Sequence, residues 1–152
     1  MKTKLKYIII LLGFLIFGPS IAEESQKNIY VVPIQDVIDL GIPGLVNRSI
    51  SLAEENNADL IVFDIDTFGG RVDAATQIKD AISGTEISTV GFINRRAISA
   101  GSLIALSCDK IFMTEGATIG ATSVVDMSGT KQSEKSQSYM REEMAATAEK
   151  SG

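Results

Sequence analysis

From residue 28 onward the chain alternates between two hydrophobic periods. Asn28 to Gln35 (NIYVVPIQ) is rich in β-branched residues and reads as a strand. Pro33 within it has no N–H to give a neighbour, which marks an edge or a bulge. Pro43 opens a helix to about Asn57, in which Leu45, Val46, Ile50, Leu52 and Ala53 keep roughly helical spacing and Asn56-Asn57 end it. Asp59 to Ile65 (DLIVFDI) is a short apolar run of the kind found in a buried parallel strand. Thr67-Phe68-Gly69-Gly70 then predicts a tight turn, and Val72 to Ser83 a second helix.

The same alternation continues downstream. Ser88 to Asn94 (STVGFIN) is a third strand, Ala97 to Ser107 a third helix and Lys110 to Thr114 a fourth strand. Gly116 to Gly120 reads as a turn, Asp126 to Ser133 as a polar loop, and Glu134 to Lys150 as the last helix. Strand and helix in alternation imply an α/β domain, a parallel sheet flanked by helices. The Ser151-Gly152 end falls where a helix C-cap normally leads into another strand, so a domain truncated at its C-terminus is expected.

The first residues follow a different logic. Lys2, Lys4 and Lys6 precede the apolar run Ile8 to Phe17, and Gly18-Pro19-Ser20 breaks it before Ala22. Basic start, short apolar core and small residues at the exit make up a secretory signal peptide over residues 1–22, with cleavage expected after Ala22. An uncleaved anchor is the alternative. Both carry residues 23–152 across the cytoplasmic membrane, to a periplasmic or other extracytoplasmic face.

Composition narrows the chemistry. The chain has 152 residues, a net charge of -5 and no basic run beyond its N-terminus, which leaves nucleic-acid binding without support. Its one cysteine, Cys108, lies in the apolar run Leu103 to Ile111 and reads as a buried structural thiol. There is no histidine. A Ser-His-Asp triad, a Cys-His pair and histidine-rich zinc sites are therefore excluded on this chain alone. No cofactor is called for.

Two turns carry candidate chemistry. Asp66-Thr67-Phe68-Gly69-Gly70 places paired glycines between a strand and a helix, where free N–H groups can point at a developing oxyanion; a plain tight turn is the other reading. In Arg95-Arg96-Ala97-Ile98-Ser99-Ala100-Gly101-Ser102, Ser99 sits at a helix start beside Ala100 and Gly101, which leave room for a substrate backbone. It is either a nucleophile favoured by the helix dipole or only the helix cap. Ser102, one turn on, is a rival nucleophile that reads better as an inward packing residue. Without histidine, a desolvated lysine is the base to look for. Lys131 and Lys135 flank the entry to the last helix, Lys110 forms a surface pair with Asp109, and Lys79 reads as exposed. Spacing does not choose among them.

At these residues the chain resembles the N-terminal protease domain of long-form NfeD proteins, membrane-bound serine proteases of the Clp-protease/crotonase superfamily. FDIDTFGGRVDAATQI (Phe63 to Ile78), AISAGSLIAL (Ala97 to Leu106) and EGATIGATSVV (Glu115 to Val125) carry the resemblance, with a weaker match over Lys135 to Gly152. It implies a ClpP/crotonase-like β-β-α superhelix-type domain, a nucleophile at Ser99 and a catalytic lysine at Lys135. It also implies an oxyanion hole from the N–H groups of Gly70 and Ala100, supported by Asp66, Thr67, Gly69 and Gly101. Substrates would be hydrophobic peptide segments such as those of stomatin-like membrane proteins. A homodimer or larger homo-oligomer is implied as well, and membrane anchoring of the full-length protein. Phe68 stands where the family usually has proline, so a less rigid turn is expected there. The alternatives are a non-catalytic scaffold of the same fold and a crotonase-type acyl-thioester enzyme, the latter disfavoured by the export signal.

Overall fold

The computed structural model describes residues 26–124 and 130–151. The signal-peptide segment, Gly152 and residues 125–129, which include the first part of the polar loop, lie outside the described residues. The strands are β1 (Ile29–Ile38), β2 (Leu60–Gly70), β3 (Thr89–Ile98), β4 (Lys110–Met113) and β5 (Thr118–Gly120). The helices are α1 (Ile42–Glu55), α2 (Val72–Gly84), α3 (Ala100–Leu106) and α4 (Glu134–Ser151). All strand pairings are parallel, in the order β1-β2-β3-β4, with β5 beside the C-terminal part of β3.

Alternation along β1 and β2 decides where the helices pack. Val32, Ile34, Ile61, Phe63, Ile65 and Ile93 are buried, and they meet Val46, Ile50, Ala74, Ile78, Leu103 and Ile104 from α1, α2 and α3 in one core. The opposite face carries two rows in register across the sheet: Val31, Val62, Val90, and Pro33, Asp64, Phe92, Phe112. Val62, Asp64, Val90 and Phe92 are only half-buried, while Val31 and Phe112 are exposed. The apolar run of β2 is thus buried fully on one face and partly on the other.

Pro33 lies in an edge strand, and β1 also bulges between Gln35 and Val37. The edge reading of that proline holds, while the bulge falls beyond it, since Pro33 is regularly paired with Asp64. Asn57 ends the first helix in the left-handed region (φ 50), which asparagine tolerates better than most residues.

Three local expectations are corrected. The turn expected over Thr67 to Gly70 is the continuation of β2, because Gly69 and Gly70 pair with Val37 and Ile38 while Thr67 pairs with Ala97. The third helix begins at Ala100, since Ala97 and Ile98 still pair with Ile119 and Gly120. The turn at Gly116 to Gly120 accordingly contains β5. In each case a neighbouring strand distant in sequence captured backbone groups that local pattern assigned to a turn or helix.

Candidate active site

Ser99 forms the joint between β3 and α3. Its backbone adopts φ 55, ψ -115, a conformation costly for any residue with a Cβ. Two hydrogen bonds hold it there: Ser99 N–H donates to the Gly120 carbonyl at 2.8 Å, and Ser102 N–H donates to the Ser99 carbonyl at 3.0 Å. The Ser99 hydroxyl makes no capping bond to α3. The sharp strand-to-helix joint puts Ser99 on the wall of a cavity, and a strained joint of this kind presents the nucleophilic serine in unrelated hydrolases.

Ser102 is engaged elsewhere. It is 1% exposed, its Oγ lies 2.7 Å from the Ala97 carbonyl and 2.9 Å from the Gly120 carbonyl, and it accepts Gly120 N–H at 2.9 Å. This hydroxyl clips α3 to β5 and is closed to substrate. Gly120 was legible only as a turn glycine, yet it holds both serines in place.

The paired glycines are required by close approach. A Cβ on Gly69 (φ 104) would lie 2.8 Å from the Ile98 carbonyl oxygen and 2.8 Å from Ser99 Cβ, and one on Gly70 would lie 2.2 Å from the Ile38 carbonyl oxygen. The Thr67 hydroxyl, 1% exposed, donates to the Asp36 carbonyl and accepts Gly69 N–H at 2.9 Å. At Gly101 a Cβ would meet Thr67 Cγ2 at 2.5 Å, so only glycine lets α3 settle against β2 here. Asp66 is tied to Arg95 at 2.9 Å and to Arg96 at 2.8 Å. The Arg96 guanidinium in turn lies 4.3 Å from the centre of the Phe68 ring. Phe68 is 72% exposed, and this stack ties it to β3 at the position where the resembled family usually has proline.

Ser99, Gly70, Phe68, Ile98 and Val124 border one open cavity of about 890 Å³. Ala100 is the first residue of α3, a position whose N–H has no acceptor within the helix. A second cavity of about 470 Å³ is bordered by Lys135, Ser136 and Tyr139, and Val72 and Val124 line both. Lys135 itself is exposed, and no hydrogen bond joins it to Ser99 among the described residues.

The other lysines stand apart. Lys131 is exposed before α4, and Lys110 is exposed on β4. Asp109 is not simply a surface partner of Lys110, because its carboxylate accepts both N–H and O–H of Thr89. Lys79, expected to be exposed, is 19% exposed and sits 2.9 Å from both Asp80 and Glu143. Bonds to those two carboxylates, Glu143 first, raise its pKa above the ordinary lysine value and hold it charged. It is a strut between α2 and α4, not a base. Cys108 is buried as expected, and burial pushes its thiol up to about 12.

Comparison with known proteins places this arrangement. The 1510-N membrane-bound stomatin-specific protease matches in two solved forms. Its serine-to-alanine mutant matches with TM-score 0.74 at 28% identity, over 82% of this chain and 64% of that one. A lysine-to-alanine mutant in complex with a substrate peptide matches with TM-score 0.76 at 28% identity, over 82% and 61%. ClpP1 from Listeria monocytogenes shares the fold alone, with TM-score 0.61 at 23% identity over 80% of this chain and 71% of that one. The chain is therefore an α/β protein with a ClpP-like protease fold.

Residues 28–152 match the family model of the NfeD1b N-terminal domain, and the chain belongs to that family. The membrane protein NfeD1b of Bacillus subtilis (strain 168) is 36% identical over 129 residues, 85% of this chain and 30% of that protein. The membrane-bound protease PH1510 of Pyrococcus horikoshii is 35% identical over 100 residues, 64% of this chain and 23% of that protein. The chain thus spans under a third of the length of these two relatives. Among the described residues no helix is long and apolar enough to cross a membrane.

Proposed function

We propose that this domain is a serine endopeptidase with a Ser99–Lys135 dyad, acting on hydrophobic peptide segments such as those of stomatin-like membrane proteins. The observation that carries the reading is the strained backbone of Ser99, which borders a cavity and whose hydroxyl does not cap its own helix. A serine needed only as a cap has no reason to hold such a conformation.

In this scheme the Lys135 amine takes the Ser99 proton as Oγ attacks the substrate carbonyl. The N–H groups of Gly70 and Ala100 receive the oxyanion, and the lysine returns the proton to the departing amine. Water then attacks the acyl-enzyme by the same route. A peptide lying across both cavities brings its carbonyl to Ser99 and covers Lys135. Val37, Phe68, Ile98 and Val124 give that peptide apolar walls. The relative named as stomatin-specific, and the same protein's complex with a substrate peptide, support this substrate class. Export across the cytoplasmic membrane on residues 1–22, followed by a protease domain over 23–152 that continues in the full-length protein, belongs to the same proposal. So does assembly as a homodimer or larger, checked by sedimentation at rising concentration.

A fluorophosphonate probe tests the core of the reading. Wild-type chain is expected to label and Ser99→Ala is not. Lys135→Ala is expected to label about a hundredfold more slowly or worse, the usual loss for a general base, while Lys131→Ala stays near wild type. Equal labelling of wild type and Ser99→Ala overturns the assignment, and loss only in Lys131→Ala moves the base to that residue.

A further inference from the structure

Gln137 lies on the inner face of α4 and is 5% exposed. It heads the row Gln137, Met140, Met144, Thr147, at helical spacing, which seats the helix on the core. A primary amide is costly to bury unless both its ends are bonded. Here both ends serve one residue. Val124 N–H donates to Gln137 Oε1 at 3.1 Å, and Gln137 Nε2 donates to the Val124 carbonyl at 2.6 Å. That carbonyl also accepts Gln132 N–H at 2.9 Å. Val124 therefore has its backbone groups held by α4 and the residues leading into it, much as a neighbouring strand would hold them.

The placement gives this clamp a consequence. Val124 lines both the Ser99 cavity and the Lys135 cavity, and Lys135 stands two residues before Gln137 on the same helix. Ser99 is fixed by β3, β5 and α3, whereas Lys135 depends on where α4 docks.

We propose that Gln137 is a positioning residue: by holding both backbone groups of Val124 it fixes where α4, and Lys135 with it, stands over the Ser99 cavity. This rests on the Ser99–Lys135 reading above. Gln137 touches no reacting atom, so its loss weakens proton transfer more than peptide binding, which the apolar walls retain.

Gln137→Met keeps the length and apolar stem and removes both bonds; Gln137→Asn is a methylene too short to make them. In the full chain, both are expected to lower kcat on an apolar peptide and the rate of fluorophosphonate labelling about ten- to a hundredfold, as a misplacement on the order of 1 Å does. KM is expected to move less. Amide hydrogen exchange is read in parallel: Val124 is expected to exchange faster in both variants while β2 and β3 do not. Wild-type kcat and labelling in Gln137→Met, with Val124 exchange accelerated, overturn the positioning role. Unchanged Val124 exchange overturns the clamp itself, and faster exchange throughout β2 and β3 makes Gln137 a general fold residue and overturns the role too. A wild-type chain that never labels overturns the Ser99 reading and the catalytic half of this one, and Val124 exchange then decides the clamp.

Discussion

At position 99 backbone and side chain make opposing demands. The conformation φ 55, ψ -115 suits glycine, and the residue there is serine. A non-glycine residue held in such a region costs about 1–3 kcal/mol, while glycine's extra chain entropy costs about 0.5–1 kcal/mol. Ser99→Gly is therefore expected to raise the urea midpoint, by about 1 kcal/mol of stability, while abolishing probe labelling; a fall in stability would show that the joint is not strained. From the residues alone Ser99 read more readily as a helix cap than as a nucleophile, because its strained backbone is held by a bond to Gly120, in another strand, which local pattern does not show. Cys108 was legible, since an apolar run surrounds it. With its thiol buried and pushed up to about 12, it is expected to resist iodoacetamide at about pH 8 in the folded chain and to react once unfolded in urea.

Among the elements, α4 is the one whose placement matters most and whose own sequence says least about it. Its hydrophobic pattern is weak, and its docking relies on polar contacts: Gln137 to Val124, Lys79 to Glu143, and Lys150 Nζ to the Ser83 carbonyl at 2.9 Å. Lys79 was misread as exposed because Glu143, its partner, lies 64 residues away. Lys79→Met is expected to cost about 1.5–3 kcal/mol, the range for hydrogen bonds to charged groups. The sign of its pH dependence follows from the raised pKa. The pair's contribution is whole below the ordinary lysine value of 10.5 and is lost as pH rises through the higher folded-state value. The gap in urea midpoint between wild type and Lys79→Met is thus expected to stay constant between about pH 7 and 9 and to close only in more alkaline solution. A gap that closes nearer neutrality would contradict the ion pair.

Taken whole, the molecule is asymmetric about its sheet. Helices cover the face that holds Phe63, which has no exposed surface, while Phe112 on the other face is 57% exposed. Both are phenylalanines in parallel strands, and the sequence alone ranks them alike. Phe63→Ala is expected to cost about 3–5 kcal/mol, the usual range for a large core side chain, and Phe112→Ala under about 1 kcal/mol, measured by urea unfolding. Comparable losses would mean that the second face is covered in the isolated chain.

What the sequence determined by itself was the alternation of strands and helices, the parallel sheet and the residue types of the candidate site. Each depends on periodicity, on proline and glycine chemistry, or on the lack of histidine, all of which act within a few residues or on composition. Tertiary structure alone decided that Gly69 and Gly70 extend a strand, that Gly120 holds both serines, that Lys79 is a strut and that Gln137 grips Val124. Those outcomes depend on backbone groups and charges brought together by the sheet from 13 to 64 residues apart, a distance over which local pattern carries no signal.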